Sequence, residues 1–383
     1  MPPLFIEINA LKNFMKIKPF QAVYPKLDFL TSPDAFFARV KFEYPEYKKN
    51  GFFNKTAQEA IYIYEIEAKH RTYTGLLACS DVQDYYDGNI KKHENTISTK
   101  EQQQMQLVIS RGAVVKPVLL TYHGVDEINE LIYNYKKNNT HFFEISFLED
   151  QQLHRVWEIS DATLINTFQA LFADKIPQTY IADGHHRVST LALMHKRIMN
   201  KMGYSNFNSV LSAFFPTDQL EVLDFNRVVK GLNGHSPTTF MAKIAQLFDT
   251  EIINLRKPSK KYEIVMFFNN EWFQLTWKKE ILASYKNTQI LLDASMLNEK
   301  VMKGILGIED SRTDTRVNYI QGVKGLEDFR LTTLKSEQNI GFCLYPVALT
   351  DIIAMADMGK TMPPKSTWFE PRMKNGLVAQ EFD

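Results

Sequence analysis

Cysteine is nearly absent: Cys79 and Cys343 are the only two in 383 residues. Two thiols cannot build a disulfide framework or a four-thiolate metal site. Both sit in apolar, strand-like runs, which reads as buried and inert. Glycine (16) and proline (15) are also sparse, below the usual levels of about 7% and 5%, so collagen-like and low-complexity chains are excluded. Charge of one sign is missing too, because 45 Lys and Arg face 44 Asp and Glu for a net +1. That balance leaves no broad basic surface, and nucleic acid is not an expected partner. No apolar run reaches the roughly 18 residues of a membrane-spanning helix. The first residues carry Glu7 and Lys12 where a secretory signal needs an unbroken apolar stretch, so a cytoplasmic setting is expected.

What the chain does have is apolar bulk. Hydrophobic residues make up 44% and aromatics 13%, with 27 Phe and 17 Tyr, enough to bury a sizeable core. Phe142, Phe143, Phe147, Phe214 and Phe215 read as core rather than as base-stacking platforms. The length suggests two domains or one large one.

Local patterns give the elements. Ile61–Glu67 alternates as IYIYEIE and pairs as a hairpin with Tyr73–Ser80 around Lys69–Arg71. Ser98 and Glu101 form a capping-box pattern opening a helix to Arg111. Ala113–Tyr122 reads as one strand, pushed by Pro117 toward an edge or a bulge. A helix is expected over Asp126–Lys137, and strands over His141–Leu148 and Leu153–Ile159. Ser160 should cap a helix through Phe172. A short strand, Thr179–Ala182, feeds a helix from His185 to Met202. Ser209–Phe215 and Leu220–Val228 read as strands, and Ser236-Pro237 opens a helix to Phe248. A second hairpin, Tyr262–Phe268 with Glu271–Trp277, turns at Asn269-Asn270. Strands and helices mix without a βαβ rhythm, so the fold class is α+β, with mixed sheets and helices in at least two lobes. The division is expected between residues 1–232 and 233–383, with the tail able to return to the first lobe.

The densest polar cluster is Tyr180–Arg187, YIADGHHR. It puts Asp183 at a strand end and His185, His186 and Arg187 in the first turn of a helix. Free N–H groups and the positive dipole end favour an anion there. Gly184 permits a tight turn and close approach of a ligand, and Arg187 can fork onto phosphate or carboxylate oxygens. Three basic residues oppose the dipole, and an anionic ligand would explain them. The plainer alternative is a capped helix start, with Asp183 as the cap acceptor and the histidines bonded to carbonyls. Adjacent histidines lack the i, i+4 spacing of helical zinc pairs.

Two further segments carry polar chemistry. Lys91–Thr96, KKHENT, puts Glu94 beside His93 in a loop before a helix. Ile97 stands where a zinc-protease motif needs its second His, which leaves a candidate base or a solvated charge run. The tail, Gly359–Thr367, ends a would-be phosphate loop, but Ala354 replaces the required Gly. Lys365, Ser366 and Thr367 remain phosphate-contact candidates, with Arg372 and Lys374 following.

YIADGHHR, the HENT at His93–Thr96 and MPPKSTWFEPRMKNGLV at Met362–Val378 together resemble one bacterial family, domain of unknown function 1015. The resemblance runs through most of the chain and includes Ile17–Phe20. Members usually carry Arg where this chain has Asn95 and Tyr where it has Val188, which bears on ligand choice. The DGHHR segment is also similar to that of free-serine kinases of the ParB/sulfiredoxin-like superfamily, which implies a core of that type. The resemblance implies nucleotide-dependent phosphoryl transfer to a small hydroxyl substrate such as serine, with ATP or ADP and Mg²⁺. His93, Gly184, His186, Arg187, Lys365, Ser366 and Thr367 would hold phosphate or nucleotide. Glu94, Asp183 and His185 would be catalytic, with Asp183 also positioning the metal. A metal-dependent phosphoesterase and a non-catalytic nucleotide-binding module are the alternatives.

Overall fold

The structure, a computed structural model, describes residues 14–199, 205–336 and 338–382. It is a mixed α+β chain that divides into two units. One runs to Leu220 and resumes at Pro371, and the other spans Glu221–Glu370. The division therefore falls at 220/221 and 370/371, whereas the sequence placed it at 232/233. Among the described residues no helix is long and apolar enough to cross a membrane.

The first unit is built on nine strands of one sheet: β1 (Ile17–Lys18), β2 (Ile61–Ala68), β3 (Arg71–Asp81), β4 (Ile90–Lys91), β5 (Val118–Tyr122), β6 (Phe143–Phe147), β7 (Gln152–Ile159), β8 (Thr179–Asp183) and β9 (Ser209–Pro216). Their order is β4-β8-β5-β9-β3-β2-β7-β6, with β1 also on β3. The hairpin of β2 and β3 forms where the alternation predicts it, turning at Lys69-His70. Pairs β4/β8 and β5/β9 are parallel and the others antiparallel. Two helices matter for the site, α1 (Ser98–Arg111) and α2 (His185–Met199). The expected end of α2 at Met202 lies outside the described residues.

Ala113–Tyr122 is not one strand. It breaks at Lys116-Pro117, and β5 then runs in the sheet interior between β8 and β9, where Pro117 no longer removes a ladder donor. The helix after β7 starts at Ala162, with Asp161 and not Ser160 as its cap. Leu220–Val228 splits at Asp224, whose buried backbone carbonyl accepts from Gly322 N–H at 2.8 Å. The capping box at Ser98 does not form, because Ile97 is the cap residue and Glu101 turns away to accept from the Ser189 hydroxyl on α2. A helix over Pro33–Lys49 escaped the periodicity reading because Pro45 interrupts it. It buries Phe36, Phe37, Val40 and Tyr44, and opens on the same Ser-Pro signal as the helix at Pro237.

The second unit is a six-stranded antiparallel sheet of β10 (Phe225–Lys230), β11 (Phe248–Ile253), β12 (Glu263–Phe268), β13 (Glu271–Trp277), β14 (Val317–Gln321) and β15 (Asn339–Leu344), in the order β11-β13-β12-β15-β10-β14. The β12–β13 turn uses Asn269 and Asn270 at positive φ, as the Asn-Asn pair predicts. One face packs on Phe240, Ile244, Met296, Leu297 and Val301. The other packs on Phe329, against which Gly341 approaches so closely that a Cβ would lie 2.4 Å from the ring. Cys79 and Cys343 are buried free thiols, and Phe147, Phe214 and Phe215 are core, while Phe142 and Phe143 are half-buried.

Candidate functional site

The site forms where two parallel strands end side by side. β4 runs into the loop carrying His93 and Glu94, and its parallel neighbour β8 runs into Gly184 and α2. The carboxyl ends of adjacent parallel strands are where open α/β sheets hold ligands. β5 is antiparallel to β8, so Lys116 and Pro117, just before it, come to the same end. A bulge in β8 sets two residues, Ala182 and Asp183, against Leu119 alone, which re-aims the Asp183 side chain.

Asp183 is the electrostatic centre. Its Oδ2 accepts from Arg187 Nη2 at 2.5 Å and lies 3.9 Å from Lys116 Nζ, and its Oδ1 accepts from Arg372 Nη1 at 2.8 Å. Burial opposes ionisation, but Arg187, Lys116 and Arg372 outweigh it and hold the carboxyl well below the usual carboxylate range. Three cations thus surround one carboxylate at the start of a helix. Arg187 Nη1 also donates to the carbonyls of Pro117 (2.5 Å) and Lys116 (3.2 Å), so its guanidinium ties β5 to α2. Gly184 makes this possible. Its φ is +109°, and a Cβ there would lie 2.8 Å from Arg187 Nη2. Its carbonyl accepts from the Arg187 (2.8 Å) and Val188 (3.1 Å) N–H groups and opens α2. The Asp183 carboxylate at this turn faces cations.

The histidines link the two loops. His185 Nε2 accepts from the backbone N–H of His93 at 3.4 Å, and the two rings meet edge to face at 4.4 Å between centroids. With Nε2 as acceptor, the neutral ring carries its proton on Nδ1, an assignment that follows from the hydrogen bond. Nδ1 faces Glu94 Oε2 at 3.9 Å. Burial, reinforced by His93, keeps the His185 pKa well below the ordinary histidine value, and burial alone brings His93 to about 3. His186 Nε2 accepts from Ile97 N–H at 3.1 Å and so fixes the start of α1. One ring nitrogen of each histidine thus accepts from a backbone N–H of the neighbouring segment.

The structure thus brings Glu94, His93, Asp183, Gly184, His185, His186 and Arg187 together. Lys116 escaped the sequence reading, since a Lys-Pro pair before a strand has no phosphate signature. In the sequence Arg372 stands only as one residue of a basic tail. Lys365, Ser366 and Thr367 belong to the second unit. Asn95 is exposed in the loop and Val188 is fully buried in α2.

The residues around Asp183 do not fit a metal ion. Among the described residues no group of three or more His, Cys, Asp or Glu side chains could hold one. A cation bound at Asp183 would also meet Lys116, Arg187 and Arg372.

No curated protein matches the chain. Among solved structures it is similar to SbnI with a C-terminal truncation from Staphylococcus aureus, at 13% identity and a TM-score of 0.41, covering 78% of this chain and 85% of that one. It is similar to a free serine kinase variant in complex with ADP at 14% identity and 0.36, covering 79% and 92%. A conserved hypothetical protein from Pyrococcus furiosus gives 13% and 0.36, covering 80% and 95%. The model for the protein of unknown function family DUF1015 matches residues 17–296, which takes in both the HENT loop and YIADGHHR, and the chain belongs to that family.

Proposed function

We propose that the first unit binds a nucleotide phosphate at the start of α2 and transfers a phosphoryl group to a small hydroxyl substrate such as serine. The observation that carries this reading is the set of three cations, Lys116, Arg187 and Arg372, around the single carboxylate of Asp183 at a helix N-terminus. Their excess charge suits phosphoryl oxygens, which need positioning and neutralisation more than covalent help. In this reading Lys116 and Arg372 face the phosphates. Arg187, tied to Asp183 and two carbonyls, fixes the turn that presents the first N–H groups of α2. The substrate hydroxyl oxygen attacks the terminal phosphorus, the bond from phosphorus to the nucleotide oxygen breaks, and Glu94 takes the hydroxyl proton. His185, through Nδ1, orients Glu94.

Thermal shift and calorimetry with ATP, ADP and AMP, each with and without Mg²⁺, test binding. Product analysis with serine and related hydroxy compounds tests transfer. Nucleotide-dependent stabilisation is expected, and the absence of any shift under every condition overturns the proposal.

A further inference from the structure

Three connections of the second unit meet at one end of its sheet. β12 runs antiparallel to both β13 and β15, with Glu263 opposite Thr276 and Ile264 opposite Leu344. The turn entering β12, the helix Lys279–Ala283 after β13 and the helix Leu349–Asp357 after β15 therefore gather there. They leave a cavity of about 260 Å³, whose lining includes Lys261, Tyr262, Leu282, Lys286, Leu291 and Asp351. Pockets for drug-sized molecules run to roughly 300–1,000 Å³, so the ligand that fits here is smaller.

The polar groups of this cavity carry both signs. Lys261 Nζ donates to Asp351 Oδ2 at 2.8 Å, and the two side chains remain 37% and 27% exposed. Burial opposes the Lys261 charge, but Asp351 outweighs it and holds the ammonium pKa above the ordinary lysine value. Among the described residues neither charged group has a second hydrogen-bond partner. The pair thus leaves further N–H donors on the ammonium, and Asp351 Oδ1, for a ligand. The exposed Lys286 adds a second cation to the lining, and among the described residues no carboxylate pairs with it.

The wall beside the pair is held in an unusual conformation. Tyr262 has φ at +71°, a left-handed value that side-chain-bearing residues rarely adopt and that gathers at functional sites. The buried Asp293 maintains it, with Oδ2 accepting from Tyr262 N–H at 3.0 Å and Oδ1 from Trp277 Nε1 at 3.1 Å. An ion pair as exposed as Lys261–Asp351 adds little to stability, so stability alone is a weak reason for the strained turn that carries it. Leu282 and Leu291, half-buried against the core, supply an apolar stretch next to the charges.

We propose that the second unit binds a small zwitterion, an α-amino acid with an apolar side chain. Its carboxylate accepts from the Lys261 ammonium, its ammonium donates to Asp351 Oδ1, and its side chain lies on Leu282 and Leu291. A purely anionic ligand would meet Asp351, and a purely cationic one Lys261 and Lys286, so the mixed lining favours a ligand that carries both charges. The site stands independently of the phosphoryl-transfer reading, because all its residues belong to the second unit.

Isothermal titration calorimetry of the full chain with L-valine, L-leucine and L-methionine tests binding. The tightest of them is then compared with its analogues lacking the ammonium or the carboxylate. Saturable binding is expected, with each analogue weaker by roughly tenfold or more, the effect of losing one hydrogen bond to a charged group. Asp351→Asn is expected to weaken the amino acid by a similar factor and the analogue without an ammonium not at all, a difference that a merely structural role would not produce. Both members of the ion pair are partly exposed, so this variant keeps its fold, which a thermal melt checks. Arg372→Ala should leave the Kd unchanged, which separates this site from one in the first unit. The proposal is overturned by no saturable binding of any of these amino acids, or by an analogue as tight as its parent. It is equally overturned if Asp351→Asn leaves the Kd unchanged or shifts both ligands alike, or if Arg372→Ala raises it.

Discussion

Arg372 donates from Nη1 to Asp183 Oδ1 at 2.8 Å across 189 residues of sequence. The contact brings the returning tail to the turn that starts α2. The same tail pairs Gln380 with Val114 and Ala379 with Val23, so Arg372 arrives on a segment already held by the first unit.

Replacing Arg372 with Ala therefore tests whether the tail completes the phosphate site. A charge-assisted hydrogen bond is worth about 1.5–3 kcal/mol, so the Kd for nucleotide is expected to rise roughly tenfold or more. Isothermal titration calorimetry checks this, and an unchanged Kd removes Arg372 from the site.

Asp183→Asn is expected to destabilise the first unit while relieving no charge among Lys116, Arg187 and Arg372. The side chain is 21% exposed, so about 1–3 kcal/mol is expected, less than for a fully buried pair. The sign with pH follows from the depressed carboxyl. Its stabilisation is complete above the unfolded value of about 3.9 and is lost as pH falls toward the folded value. Urea melts of both proteins should differ by a constant amount between pH 5 and 8 and converge in stronger acid. Overlapping curves at pH 7 would contradict the assignment.

The buried histidines predict a second acid effect at milder pH. Burial lowers His93 and His154 to about 3 and His185 well below its ordinary value. All three are neutral in the fold and bind protons when unfolded below about 6.5. Their neutral burial is therefore fully tolerated above that pH, and stability falls as pH drops below it. Each contributes up to about 1.4 kcal/mol per pH unit. Denaturant midpoints at pH 7.5 and 5.5 measure the slope, which His185→Gln should reduce.

Gly184→Ala places a Cβ against the Arg187 guanidinium at a φ of +109°. Strain at such a φ exceeds the roughly 1 kcal/mol that a reduced unfolded-state entropy can return. A lower Tm and loss of nucleotide binding are expected. Retention of both would mean the turn relaxes without the Arg187 ties.

Much of the architecture was readable from periodicity. The IYIYEIE alternation, the Asn-Asn turn and the Ser-Pro cap at residue 237 each dictate a local structure, and each forms. The failures are equally local in origin. Pro45 hides a helix whose burial is decided by Phe36, Phe37, Val40 and Tyr44, and Glu101 abandons its own helix cap for a serine on α2. Propensity cannot anticipate a partner 88 residues away.

For the site, the chain by itself determined the strand–glycine–helix turn, because only glycine accepts a +109° φ beside the Arg187 side chain, and it marked His185, His186 and Arg187 as one helical turn. It could not reveal that Lys116 and Arg372 share Asp183, or that His185 faces Glu94. Those pairings depend on β4 lying parallel beside β8, on β5 entering from the opposite direction, and on the tail returning after the whole second unit. Charges act through space at a few ångströms, so only the tertiary structure could decide which of a nearly neutral chain's cations surround one carboxylate.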